Sequence, residues 1–187
     1  MRRDILQGFR LLLAGLGAVS APAAAQTPVD GRIVRVVYHI VYDRGGIRGA
    51  TWGFHLAHMQ DGRYCVRLGN PGRLTLAIIH KVGDICFDSI PGSVERSPEQ
   101  RSRSYDAREK GKQITVVSSQ KGSIARSGSD ITLDITTCNR VEGESETRCF
   151  PTRYVVHMDG ATCRAEATLS GSQRRADNVT CEHYAAR

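Results

Sequence analysis

Residues 33–42 read Ile-Val-Arg-Val-Val-Tyr-His-Ile-Val-Tyr and carry the strongest strand pattern of the chain. Alternate positions place Val34 and Tyr38 on one face and Arg35 and His39 on the other. Period-two alternation with β-branched and aromatic enrichment is typical of a half-buried β-strand. The segment therefore predicts a strand with one face in a hydrophobic core.

The same alternation recurs along the chain, with Gly, Asn and Asp turn signals between the segments. It is clearest at 51–58 and 131–137. Weaker versions lie at 63–68, 73–81, 113–118, 153–158, 161–169 and 178–184. We therefore expect a mostly-β fold, a disulfide-braced sandwich or barrel-like domain.

One short surface helix is expected in the polar segment 93–111. Ser97 can cap it, Pro98 fits the first helical position, and Gln100 completes a capping box. Gly111 would end it. A helix so polar on every side lies on the surface or bridges two units.

Two segments share a motif, which indicates an internal repeat. Residues 58–65 read His-Met-Gln-Asp-Gly-Arg-Tyr-Cys, and residues 157–163 read His-Met-Asp-Gly-Ala-Thr-Cys. Asp-Gly is also a common hairpin turn, so coincidence is the alternative. The repeat predicts two related β units with a polar linker or short helix between them. The expected boundaries are an N-terminal tail at 26–31, β unit 1 at 32–92, the linker at 93–111 and β unit 2 at 112–187.

Residues 1–25 have the three parts of a cleavable export signal. Arg2 and Arg3 begin it, residues 11–17 are apolar, and small residues end it at Ala25. The apolar run is shorter than the roughly 20 residues of a membrane-spanning helix. The start resembles a twin-arginine signal, which a receptor reads; an ordinary secretory signal is the alternative. We expect a periplasmic or secreted protein of a bacterial-type cell, without a membrane span after cleavage.

Six cysteines follow the signal, and an even number in an exported chain predicts a disulfide framework. A flat meander through 73–81 would hold Cys65 and Cys86 about 9–10 Å apart. A disulfide needs Cα atoms within about 7 Å, so two facing sheets or a displaced middle segment are favoured. No Cys-x-x-Cys, the usual element of structural zinc sites, occurs. Spacing favours three pairs: Cys65–Cys86, Cys138–Cys149 and Cys163–Cys181, the last two across hairpins.

The sequence offers few candidates for catalysis or metal binding. His55 and His58 are three residues apart, so on a strand they point to opposite faces and bind one metal only across a bulge. The single tryptophan, Trp52, is expected in the core rather than as a sugar-stacking platform. No Gly-x-Ser-x-Gly elbow, phosphate loop or dinucleotide fingerprint occurs. We therefore expect no catalytic residue, no metal and no cofactor.

The net charge is +7, and about +5 without residues 1–25. A positive excess favours partners with an anionic surface, such as an envelope component, a glycan or a protein. Aromatic residues do not alternate with the basic ones, which disfavours nucleic acid. The leading expectation is an exported, non-catalytic binding or structural protein. The alternatives are a small exported hydrolase acting on envelope polymers or extracellular substrates, and a metal- or cofactor-carrying periplasmic protein.

Overall fold

The computed structural model describes residues 32–42, 48–69, 71–74, 85–105, 109, 111–170 and 174–185. The predicted signal, the tail at 26–31 and most of the predicted strand 73–81 lie outside them. Within the described residues every regular element is a strand, which confirms the predicted mostly-β fold. The strands are β1 (Arg32–Tyr42), β2 (Arg48–His58), β3 (Tyr64–Leu68), β4 (Ile85–Phe87), β5 (Gly92–Val94), β6 (Gln100–Tyr105), β7 (Gln113–Ser127), β8 (Asp130–Val141), β9 (Thr147–Asp159), β10 (Thr162–Leu169) and β11 (Arg174–Ala185).

The strands form two antiparallel sheets. The first sheet has the order β11-β1-β2-β3-β4. The second has the order β10-β9-β8-β7-β5, and β6 also pairs with β7. The last strand, β11, therefore crosses to the first sheet and pairs with β1. The first sheet thus combines the first and last strands of the described residues, whereas the second is built from β5 to β10.

The main hydrophobic core lies between the two sheets. Val36 on β1 and Phe54 on β2 are fully buried from the first sheet, and Leu133 on β8 and Val156 on β9 from the second. Their alternate positions follow the period of a strand, so each sheet turns one apolar face to the other. The predicted sandwich-like arrangement is confirmed.

A smaller cluster covers part of the opposite face of the first sheet. Ile33, Leu74 and Tyr184 are buried there. The Tyr184 hydroxyl accepts a hydrogen bond from the Leu74 backbone at 2.8 Å, and the Arg35 side chain donates to the Pro71 carbonyl at 2.7 Å. Segment 71–74 is therefore fixed against this sheet, which explains why β1 carries apolar residues on both faces.

The helix predicted within 93–111 is wrong, because residues 100–105 form β6 and pair with β7. Ser97 does not cap a helix. Its hydroxyl donates to Gln120 Oε1 at 2.7 Å and accepts from the Gln120 backbone N–H at 2.9 Å. The backbone groups of β6 find partners in a neighbouring strand, a long-range effect that a local capping pattern does not report.

The predicted disulfide framework is confirmed, and its pairs are the three that spacing favours. Cys65 and Cys86 are register partners on β3 and β4, which lie side by side with no strand between them. The flat meander is therefore wrong, and the two cysteines do not lie on facing sheets, because β3 and β4 pair directly within one sheet. The bridge from Cys163 to Cys181 does not cross a hairpin as expected, because β10 and β11 are edges of different sheets. This disulfide joins the two layers of the sandwich.

Candidate functional site

The two closely spaced histidines have separate surroundings. His55 is 2% exposed, and its Nε2–H donates to the Gly72 carbonyl at 2.9 Å. Burial lowers the pKa of His55 to about 4, so its ring is neutral at pH 7. His58 is exposed and stacks on Tyr64, with ring centroids 4.3 Å apart. In the part of the chain that the structure describes, no three His, Cys, Asp or Glu side chains are grouped to hold a metal ion.

The corresponding histidine of the second motif, His157, contacts carboxylates. Its Nδ1 lies 2.9 Å from Asp130, and its Nε2 lies 3.9 Å from Glu166. The hydrogen bond from His157 holds the pKa of Asp130 below its usual value. The motif histidines therefore make different contacts, with an aromatic ring for His58 and with carboxylates for His157.

A cavity of about 540 Å³ opens between the two sheets, beside the point where β6 pairs with β7. Its floor is formed in part by the side chains on the core-facing side of β8. This row of alternate residues, the stripe of β8, is apolar at Leu133 and Ile135 and becomes polar at Thr137 and Asn139. The same face of one strand therefore changes from core to cavity lining.

Neighbouring strands make the same change. On β7 the stripe passes from Ile124 in the core to Ser118 in the cavity, and on β9 from Val156 to Thr152. Ser118 lies opposite Asn139 in the register. Side chains at such opposed positions are about 5 Å apart. The cavity floor is thus a grid of hydroxyl and amide groups, completed on β6 by Gln100, Ser102 and Ser104.

Trp52 forms part of the opposite wall, together with Ile40 and Leu68. The expectation that it lies in the core is wrong, because Trp52 is 36% exposed. Gly69 has a φ of +91° and approaches the indole so closely that a Cβ there would lie 3.4 Å from Trp52 Cζ2. The backbone at Gly69 therefore supports the indole at the edge of the cavity.

A tyrosine pair closes the base of the cavity and joins the two sheets. The hydroxyls of Tyr38 and Tyr154 are 2.9 Å apart, and both side chains are almost fully buried. Burial raises the pKa of both phenols above the usual value. Both hydroxyls are therefore protonated at neutral pH and act as hydrogen-bonding groups.

The described lining is cationic. Arg103 and Arg174 are its charged residues, and it contains no carboxylate. The Arg174 guanidinium carbon lies 4.6 Å from the centroid of the Phe150 ring, a cation–π contact that holds the planar group in place. Arg174 also lowers the pKa of both buried tyrosines against the larger effect of burial, which places its positive charge near the base.

Two polar atoms of the lining lack a partner. In the described residues, four buried side-chain atoms have no hydrogen bond, and two of them are Asn139 Oδ1 and Arg174 Nε. Leaving such an atom unpaired costs about 1–3 kcal/mol. Both atoms belong to side chains that line the cavity, so the polar groups around it are not fully satisfied within the protein, and the cavity is a candidate binding site.

Apart from Trp52, the sequence does not single out the lining residues, because polar strand positions ordinarily face solvent. One signal was present: the stripe Ile131, Leu133, Ile135 continues in register to Thr137 and Asn139. The strand predicted at 131–137 stops at Thr137 and does not include Asn139. The lining offers hydroxyl, amide, aromatic and guanidinium groups, which are suited to hydrogen bonding and stacking with a ligand.

In the described part of the chain, no helix has the length and apolar character needed to cross a membrane. The three disulfides are compatible with an oxidising compartment. No protein-family model, no curated protein and no solved structure matches this chain at a significant level.

Proposed function

We propose that this protein is an exported binding protein that holds a small polar ligand in the cavity between its sheets. The observation that carries the proposal is the polar floor at Thr137 and Asn139, on a face that is otherwise hydrophobic core. Polar side chains that face inward are unfavourable without hydrogen-bond partners, and a bound ligand supplies them. The size of the cavity falls within the range of small-molecule sites, about 300–1,000 Å³.

Export to a periplasm or cell exterior is part of the proposal. Residues 1–25 have the pattern of a cleavable signal of a bacterial-type cell, and the disulfides suit an oxidising destination. The repeated His-Met…Asp-Gly…Cys motif would then be scaffold, since each copy carries one cysteine of a disulfide. The net positive charge favours an anionic envelope component or glycan as the ligand source.

The single tryptophan makes the proposal directly testable, because all indole fluorescence comes from the cavity wall. The oxidised protein, without residues 1–25, is titrated with neutral oligosaccharides, hexuronate oligosaccharides and medium-chain fatty acids. At least one class is expected to change the Trp52 emission saturably, with matching heat in calorimetry at a stoichiometry of about one.

Two variants distinguish the cavity from the surface. Thr137→Phe places a ring in the cavity and is expected to abolish the response. Thr136→Phe makes the same change on the opposite face of β8 and is expected to preserve it. Absence of a response to all three classes, or a response that Thr137→Phe leaves intact, would contradict the proposal.

A further inference from the structure

We propose that the ligand of the cavity is a carboxylated saccharide, with its carboxylate on Arg174 and a sugar face against Trp52. This inference rests on the proposed binding function and adds the chemical class of the ligand. Three features of the lining carry it: its charge, its hydroxyl and amide grid, and its aromatic edge.

The charge selects an anion. The described lining holds two arginines and no carboxylate, so the electrostatic potential inside is positive. Arg174 is half-buried, and its guanidinium is stacked on Phe150. A guanidinium held by an aromatic face presents its planar fork in a fixed orientation, and that fork matches a carboxylate through two parallel hydrogen bonds.

The floor selects a ligand with many hydroxyl groups. Opposed side chains at Ser118 and Asn139, and at Gln120 and Thr137, form a ladder across β7 and β8. Same-face neighbours are separated by about 5 Å, which is comparable with the width of a sugar ring. Gln120 is partly engaged by Ser97, so Ser118, Thr137 and Asn139 are the groups best placed to bond to the ligand. A simple fatty acid would leave these groups unpaired.

The edge selects a ligand with a flat apolar face. Trp52 is exposed on one side and supported by the backbone at Gly69 on another. The C–H face of a pyranose fits against an aromatic ring of this kind, whereas inorganic phosphate or sulfate has no such face. Charge, hydroxyls and an apolar face occur together in a uronic acid residue.

The test uses trigalacturonate and its methyl ester, which is the same sugar without the negative charges. Decanoate and inorganic sulfate serve as anionic probes without a sugar ring. Affinities are measured by calorimetry and by Trp52 fluorescence on the oxidised protein. Trigalacturonate is expected to bind at least tenfold more tightly than the ester, the decanoate and the sulfate.

Two arginine variants test the assigned cation. Arg174→Gln is expected to weaken trigalacturonate binding at least tenfold. Arg175→Gln removes the same charge from the next position of β11, which is exposed, and is expected to change the affinity less than twofold. Arg174→Lys keeps the charge without the planar fork and should give an intermediate affinity. Circular dichroism and thermal unfolding of each variant verify that it is folded.

The outcomes separate the two proposals. Tighter binding of decanoate, sulfate or the neutral ester than of trigalacturonate would overturn the carboxylated saccharide and keep the binding function. Equal loss in Arg174→Gln and Arg175→Gln would overturn the assigned contact. If none of these four probes and none of the three ligand classes tested for the proposed function binds, both the carboxylated saccharide and the binding function are overturned.

Discussion

Removal of one hydroxyl from the tyrosine pair at the base of the cavity is expected to destabilise the protein measurably. Tyr38 and Tyr154 come from different sheets, their hydroxyls are 2.9 Å apart, and they are 1% and 2% exposed. Phenylalanine keeps the ring, so the packing changes little and the lost hydrogen bond dominates. Leaving a buried hydroxyl unpaired lowers the free energy of unfolding by about 1–3 kcal/mol.

Each single variant is expected to cost about 1–3 kcal/mol, because Tyr38→Phe leaves the Tyr154 hydroxyl without its partner and Tyr154→Phe does the same to Tyr38. The double variant is expected to lose less than the sum of the singles by about 1–2 kcal/mol, because neither hydroxyl remains.

The assay is urea unfolding of the oxidised protein, followed by Trp52 fluorescence and by circular dichroism to test two-state behaviour. Tyr105→Phe is the control, since Tyr105 is 68% exposed and its change should stay within about 0.5 kcal/mol. Strict additivity of the two core variants would refute the reasoning, because it would mean that the hydroxyls do not meet across the sheets.

Three further predictions concern other parts of the fold. The pKa of His55 is lowered from 6.5 to about 4, so the folded protein is fully stable with respect to this group above pH 6.5 and loses stability as the pH falls towards 4. The urea midpoint should therefore fall more steeply over this range in the wild type than in His55→Phe. Gly122→Ala should cost about 1–3 kcal/mol in thermal unfolding, because its Cβ would lie 2.4 Å from the Asp134 carbonyl oxygen. Replacing Cys163 and Cys181 by alanine should cost about 3 kcal/mol in urea, because the bridge closes a loop of 18 residues between the sheets.

Each of these predictions has a contradicting result. A pH slope in His55→Phe as steep as in the wild type would contradict the buried setting of His55. A Gly122→Ala protein as stable as the wild type would contradict the close approach of β7 and β8. An unchanged midpoint in the cysteine variant would contradict a native bridge between the layers.

Local pattern predicted the strands well where one face meets the core. The segment 33–42 alternates because β1 buries Val34, Val36 and Tyr38 between the sheets. Cysteine spacing also carried information, because Cys138 and Cys149 are directly opposed across the β8–β9 hairpin. In both cases the informative pattern lies within one short stretch of sequence.

Long-range pairing explains the features that the sequence did not predict. The polar segment that contains β6 has a good capping pattern, yet its backbone bonds to β7. Trp52 alternates like a core residue, but it lines a cavity whose facing sheet also carries polar residues such as Thr137 and Asn139. The topology decides which residues face each other across the two sheets, and local periodicity in the sequence does not predict it.

Backbone amide chemical shifts of isotope-labelled protein, recorded with and without saturating trigalacturonate, test the central claim most directly. The claim predicts that the largest changes fall on Thr137, Asn139 and the Trp52 indole N–H, with small changes on the outer face at Thr136 and Arg153. Changes centred on the outer face, or no changes at saturating probe, would contradict a binding site between the sheets.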